Sequence, residues 1–410
     1  MLVAVEPSIK RSVTIGVQRP RGVELHEFKA KQLTEAIDFI NSLESPTILG
    51  YLGGPGQYFL IRLRQECAHP TYRVPFHALN EHMGDAAVGA DVQTRTEMLV
   101  DCFMQAPEVF YEMGELDFDI FYAREFARAR LAVQDHRKRA QLQYMAAERD
   151  LELALGIAYQ ASKARKILSN PGMISGAKAD EKALEAQIVK CLGRIVIYDL
   201  LRNHPVLPQV KGLGPALGGG IIGEILDIRR FSTPQQLRAY ARYTQGREGG
   251  IPRRRRGEVA NWSDKLHRPV WLWSTDQVTR YDHVWRDVYR SFKLDEFLTH
   301  PEIEVVVRQD AQGRDKKVRR FTAGHLNRRA QRRVGSALLE YVHALWWAVA
   351  RGDDPVAWYQ ASEWPAFFAQ HTSRINDEGG LEQLNALVAA RKGETPDDEL
   401  EDESGDDSGI

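Results

Sequence analysis

The chain has 410 residues, 43% apolar and 27% charged, an ordinary globular composition with room for two or three domains. It has no run of about 18 apolar residues and no charged-then-apolar leader in MLVAVEPSIKR, so the expectation is no membrane partner and a cytoplasmic location. Cys67, Cys102 and Cys191 lie far apart without a Cys-x-x-Cys pair, which argues against a disulfide framework or zinc ribbon, and the net charge of −1 gives no overall bias.

The first 115 residues alternate short β-branched runs with helical spacing. Ser12 to Val17 reads as a strand, and LTEAIDFINSL (33–43) as a helix with Leu33, Ile37, Ile40 and Leu43 on one face. SPTILGYLGG reads as a strand and Gly-rich turn, QYFLIRLRQEC as a helix, Tyr72 to Val74 as a strand and Thr94 to Met104 as a helix. Such alternation predicts an α/β layer. From Phe118 to about Ser169 the chain is rich in Ala, Arg, Leu, Glu and Gln without proline, which predicts a long helix. Asn170-Pro171-Gly172 breaks it, and Glu181 to Asn203 reads as a second helix. Two antiparallel helices are expected, either as a coiled-coil arm that dimerises or as part of a bundle.

VKGLGPALGGGIIGEIL (210–226) follows. Gly212 and Gly214 bracket Leu213, and Pro215 suits the first position of a helix. The reading is helix, tight Gly hairpin, helix, with amides at a helix N-terminus able to hold a phosphate through Lys211, Gly212 and Gly214. An ordinary helical corner is the alternative. Ser232-Thr233-Pro234 then starts a helix over PQQLRAYARY. A Gly-rich turn leads to Arg253, Arg254, Arg255 and Arg256, and VWLWSTDQVTRYDHVWRDVYRSF reads as one aromatic-rich helix. Glu304 to Arg308, a DAQG turn and KKVRRF form a small hairpin. HLNRRAQRRVGSALLEYVHALWWAVA is the last core helix, carrying Arg328, Arg329, Arg332 and Arg333 near its start. Ten basic residues between Arg308 and Arg333 face only Asp310 and Asp315. Arginine pairs with phosphate in a bidentate manner, so these patches beside the Gly hairpin point to nucleic acid, with strongly salt-dependent binding. Nine acids and no base lie between Glu394 and Asp407, leaving 55 basic against 47 acidic residues in the body. That tail has a disordered composition; it aids solubility or competes with nucleic acid for the body.

HPVLPQVKGLGPALGGGIIGEILDIRRFSTPQQLRAYARY resembles the hallmark segment of the DEDD-type insertion-sequence transposases, kin of the pilin-gene invertases and bridge-RNA-guided recombinases. The matching features are Gly212-Leu213-Gly214-Pro215, Glu224, Ile228-Arg229-Arg230-Phe231 and Ala239-Tyr240-Ala241-Arg242. RRRRGEVANWSDKL and GHLNRRAQRRVGSALLEYVHALWW resemble the family's basic turn and closing helix. The specific match spans about 200–262 and 322–347; the first 200 residues agree only in layout. The resemblance implies a RuvC/RNase H-like α/β domain (1–116), a helical coiled-coil arm (117–204), a mostly α helix-hairpin-helix transposase domain (205–372) and a C-terminal segment with an acidic tail (373–410). It implies DNA as partner, with structured RNA as a further one, a homo-oligomer through the arm, and a nucleoid-associated cytoplasmic protein.

The family's chemistry uses three Asp, one Glu and a serine nucleophile, because hard Mg²⁺ takes carboxylate oxygens and clamps a phosphodiester displacement. Glu6 stands at the first Asp position, and Gly53 stands where the family has Glu. Asp91 and then Thr94 stand at the Asp-x-x-Asp pair, with Glu97 one turn further on. The serine turn corresponds to Gly246–Gly250, which holds no serine; Ser263 and Ser274 come later. The leading expectation is a transposase-like DNA-binding protein whose catalytic remnants are Glu6 and Asp91. The alternatives are an active recombinase holding Mg²⁺ through Glu6, Asp91 and Glu97, and a dimeric regulatory scaffold.

Overall fold

The computed structural model describes residues 1–7, 12–52, 56–67, 69–84, 91–155, 171–244, 262–309, 315–393 and 401–402. These form two compact units: Met1–Phe121 with Ile225–Ser232, and Tyr122–Glu224 with Thr233–Ile410.

The first unit is an α/β layer. Its strands are β1 (Leu2–Pro7), β2 (Val13–Arg19), β3 (Gly22–Phe28), β4 (Thr47–Tyr51), β5 (Thr71–Val74) and β6 (Tyr111–Glu112), in sheet order β3-β2-β1-β4-β5-β6. β1 to β3 form an antiparallel meander, with Ala4 opposite Gly16 and Ile15 opposite His26. β4 and β5 run parallel to β1, with Ala4 opposite Leu49, and β6 closes the edge antiparallel. The helices are α1 (Leu33–Asn41), α2 (Gln57–Glu66), α3 (Phe76–Met83) and α4 (Val92–Gln105). Ala4, Leu49, Val74, Leu79, Leu99, Val100, Cys102 and Phe110 make one buried cluster, which explains the apolar runs of the central strands and one face of α4. β3, β6 and α3 are additions to the elements expected from sequence. β3 is largely exposed, so its charged residues break the apolar signal that a central strand carries.

The second unit is mostly helical. α5 (Glu115–Leu155) begins in the first unit's stretch of chain and continues into this one; α6 (Pro171–Leu192) and α7 (Val196–Arg202) follow. α5 and α6 run antiparallel: Arg130 pairs with Glu185 at 3.2 Å and Arg137 with Glu181 at 2.5 Å. The single helix expected over Glu181–Asn203 is in fact broken at Gly193–Ile195, where the Gly193 amide returns to the Val189 carbonyl and the chain turns. α8 (Pro215–Ile225), α9 (Pro234–Tyr240), α10 (Asp264–Leu272), α11 (Val284–Thr299) and α12 (Ala323–Arg351) come next. The aromatic segment expected as one helix is also broken. A π turn at Trp273–Gln277 follows α10, and Tyr281–His283 are extended before α11. The break lets Trp273 and Trp285 meet edge to face at 5.7 Å, and Trp285 contacts Tyr341 at 5.6 Å and Phe368 at 5.0 Å. A straight helix would place Trp273 and Trp285 about 18 Å apart along its axis.

β7 (Glu304–Gln309) and β8 (Asp315–Arg320) form the expected hairpin. α13 (Pro355–Ala361), α14 (Trp364–Asn376) and α15 (Gly380–Gly393) close the unit, and β9 (Glu401–Asp402) pairs parallel with β8. Those two tail residues are therefore strand; the rest of the acidic tail lies outside the described residues. Among the described residues no helix is long and apolar enough to cross a membrane.

Candidate nucleic-acid interface

The Gly hairpin joins α7 to α8, as the residue types require. Gly212 has φ +80°, and a Cβ there would lie 2.6 Å from the Gln277 Cβ. Backbone strain and close approach both demand glycine. The loop closes on itself: the Gly214 amide donates to the Gly212 carbonyl at 2.8 Å, and the Trp273 indole donates to the Lys211 carbonyl at 3.0 Å. The first helical bond of α8 runs from the Gly218 amide to the Gly214 carbonyl at 2.8 Å. The Ala216 and Leu217 amides of the first turn therefore have no helical acceptor, as at any helix start.

An open groove of about 350 Å³ lies against this loop, lined by Arg202, Asn203, Lys211, Gly212, Leu213, Gly214, Gln277 and Tyr281. Lys211 is exposed and donates weakly to the Asp282 carbonyl at 3.3 Å; Arg202 donates to the Tyr198 hydroxyl at 2.6 Å. Arg202 and Lys211 are the two cations that line this groove. Next to it, burial pushes the His283 imidazole down to about 4, and the Lys211 and Arg286 cations add to that effect. Gly214 differs from Gly212: a Cβ there would meet nothing within 4 Å. Arg202, Asn203, Gln277 and Tyr281 were not expected from sequence. Gln277 and Tyr281 reach the loop only because the π turn and the following break bring them there.

The small residues after the hairpin pack the helices. A Cβ on Gly223 would stand 2.6 Å from the Arg124 Cα and 2.8 Å from its backbone nitrogen, so α8 touches the backbone of α5. Glu224 is buried and accepts two bonds from Arg128, at 2.6 and 2.9 Å. Asp227 accepts from the Arg229 amide at 2.9 Å and pairs with its guanidinium, which lies 4.1 Å above the Tyr111 ring. The motif residues Glu224, Arg229 and Phe231 thus have structural partners or burial here.

The basic residues fall into several groups. Arg253, Arg254, Arg255 and Arg256, and the Gly246–Gly250 turn, lie outside the described residues. Arg329 pairs with Glu296 at 2.5 Å, and Arg333 pairs with Asp295 at 3.1 Å and Glu296 at 3.3 Å. Arg332 donates to the Arg242 carbonyl at 3.1 Å and lies over Tyr243. These three guanidiniums brace α12 against its neighbours. Arg328 is half-buried and forms no hydrogen bond or ion pair among the described residues. Ser263 caps α10, accepting from the Leu266 amide, and buried Ser274 donates to the Trp271 carbonyl at 3.0 Å.

Glu6 sits near the end of β1, between β2 and β4, where the sheet order reverses and open α/β sheets usually bind their ligands. Burial raises its carboxyl above the usual range, while Arg95 opposes the shift through a 2.7 Å bond from its Nε. The Tyr51 phenol lies beside it and is also raised by burial. Asp91 caps α4 instead, accepting from the Thr94 amide at 2.7 Å, and this holds it below the usual carboxylate range. Glu97 accepts from Gln93 at 3.0 Å. Among the described residues no three His, Cys, Asp or Glu side chains converge as metal ligands. Of the three acids named from sequence, Glu6 is met by a guanidinium and Asp91 is spent on a helix end.

No protein-family model matches this chain, and no curated protein is detectably similar to it in sequence.

Proposed function

We propose that the protein is a nucleic-acid-binding member of the DEDD transposase type, with an RNase H-like first unit, a coiled-coil arm formed by α5 and α6, and a catalytic centre that has lost its metal-binding geometry. The observation that carries this reading is the groove at the Gly hairpin. There Lys211, Arg202 and the Gly212–Gly214 loop line one open space, and Gly214, whose Cβ would meet no atom, leaves room for a phosphate to approach. Backbone contact of this kind grips DNA or structured RNA without reading bases. The meander followed by strands parallel to β1 supports the RNase H-like part. The Glu6–Arg95 pair supports loss of the metal centre, because a guanidinium meets the charge that a divalent ion would otherwise neutralise.

Duplex DNA and hairpin RNA binding by fluorescence anisotropy, from 25 mM salt upward, tests the reading. Binding that weakens linearly on a log–log salt plot is the expected result, with a slope of about −0.9 per phosphate neutralised on DNA. No binding of either at the lowest salt rejects it.

A further inference from the structure

Tyr281 lines the groove beside the Gly hairpin and is 44% exposed. It is the first extended residue of the break before α11, at φ −111° and ψ 150°. Trp273 and Trp285, on either side of it in the chain, are fully buried and meet edge to face. Tyr281 meets no other ring and no guanidinium among the described residues. A ring of this size carries a large apolar area, and here much of it is left to solvent.

The rest of the groove is polar in a specific way. Asn203 donates through Nδ2 to Asp199 at 2.8 Å, and Gln277 through Nε2 to Asp276 at 2.7 Å. An ionised carboxylate only accepts, so each amide turns its NH₂ group to the acid and keeps its carbonyl oxygen as an acceptor. The Gln277 oxygen lies against the loop, 3.1 Å from where a Cβ on Gly212 would stand. Arg202 is positioned by a relay: its Nη1 donates to the Tyr198 hydroxyl, which donates to the Leu213 carbonyl at 3.2 Å. One of its five N–H donors is used there, and the charge remains. Neither Arg202 nor Lys211 has a carboxylate partner among the described residues, whereas nearby Asp276 and Asp282 are paired with Arg280 and Arg286. A ring, two amide acceptors and two cations therefore line one space of about 350 Å³. That is the small end of the range for pockets that enclose a small molecule.

We infer that this groove holds one unpaired nucleotide of a nucleic-acid strand, its base stacked on Tyr281 and its phosphate at Lys211 and Arg202. This rests on the nucleic-acid reading above and narrows it to strands with a base out of the helix, at a bulge, gap or loop. Within a duplex both faces of a base are covered by its neighbours, so an aromatic side chain finds a partner only where a base is unstacked. The Asn203 and Gln277 carbonyls suit a base that carries an amino group.

Anisotropy titrations at about 50 mM salt compare a blunt duplex, the same duplex with one bulged 2-aminopurine, and adenosine monophosphate as competitor. The proteins are the parent, Tyr281→Ala and Tyr281→Phe; the residue is exposed, and thermal melts confirm that both variants fold. The parent binds the bulged duplex about tenfold more tightly than the blunt one, the scale of one base stacked on an aromatic side chain. Tyr281→Ala removes that preference and leaves the blunt duplex within about twofold of the parent, while Tyr281→Phe keeps it because the ring remains. In the complex, 2-aminopurine emission is lower with the parent and Tyr281→Phe than with Tyr281→Ala, since a stacked ring quenches it. Equal affinity for the two duplexes, or a preference that survives Tyr281→Ala, overturns the inference. Adenosine monophosphate binding as tightly as the bulged duplex also overturns it, making a free nucleotide the occupant. The nucleic-acid reading survives those results if the blunt duplex still binds with a salt slope, and it falls together with the inference if neither duplex binds at the lowest salt.

Discussion

The Arg95 Nε lies 2.7 Å from a carboxylate oxygen of Glu6, an acid near the end of the central strand that is only 6% exposed. Burial raises the Glu6 carboxyl and the guanidinium opposes it, so the pair is worth little as a unit but costly to split. Arg95→Met is expected to destabilise the protein by about 2–4 kcal/mol at pH 7, whereas Glu6→Gln stays within about 1 kcal/mol. A carboxyl raised in the folded state favours folding below its unfolded pKa, and that advantage is lost as pH rises through the folded value. The Arg95→Met deficit therefore shrinks on lowering the pH from 7 to 5. Urea unfolding at both values measures it.

Gly223 and Gly214 separate folding from binding. Gly223→Ala forces α8 away from the Arg124 backbone and is expected to cost about 3 kcal/mol or more. Gly214→Ala meets no protein atom, so its melting temperature stays within about 1 °C of the parent. Its new methyl group instead enters the Lys211 groove, and duplex affinity falls by about tenfold, a loss of 1.4 kcal/mol. Calorimetry and anisotropy on the two variants check both statements.

Arg128 and Glu224 form a bidentate pair with the carboxylate 3% exposed. Arg128→Ala leaves a buried charge and is expected to cost about 3–5 kcal/mol. Adding Glu224→Gln recovers part of that loss. A double-mutant cycle in urea measures the coupling.

His283 is held down to about 4 by burial, with Lys211 and Arg286 adding to the effect. Its unfolded form takes up a proton near pH 6.5, while the folded form resists, so the unfolded state binds more protons between those values. His283 therefore costs stability as pH falls from 6.5 toward 4. His283→Gln is expected to flatten the fall in melting temperature over that window relative to the parent, and a pH series of thermal melts reads the difference.

Much of the α/β unit was legible because its signals are local. Strands β2, β4 and β5 are β-branched runs, and α1, α2 and α4 carry their apolar residues at helical spacing. β3 was not legible, since an exposed edge strand carries no apolar run. The breaks at Gly193–Ile195 and Tyr281–His283 were missed because the helical pattern on either side remains in phase with ordinary helix chemistry. At Tyr281–His283 the break brings Trp273, Trp285 and Tyr341 into contact.

The Gly hairpin was the most legible part of the candidate site, because left-handed backbone at Gly212 and a proline start for α8 are properties of single residues. The sequence by itself determined that loop, the helix after it, and the charge contrast between body and tail. Only the tertiary structure decided which charges are open to a partner. Arg329 and Arg333, basic by composition, are matched by Asp295 and Glu296, more than 30 positions earlier in the chain. Glu6, an acid at the expected strand, is matched by Arg95. Pairing over such separations depends on how helices and strands pack, and no local pattern of residue types encodes it.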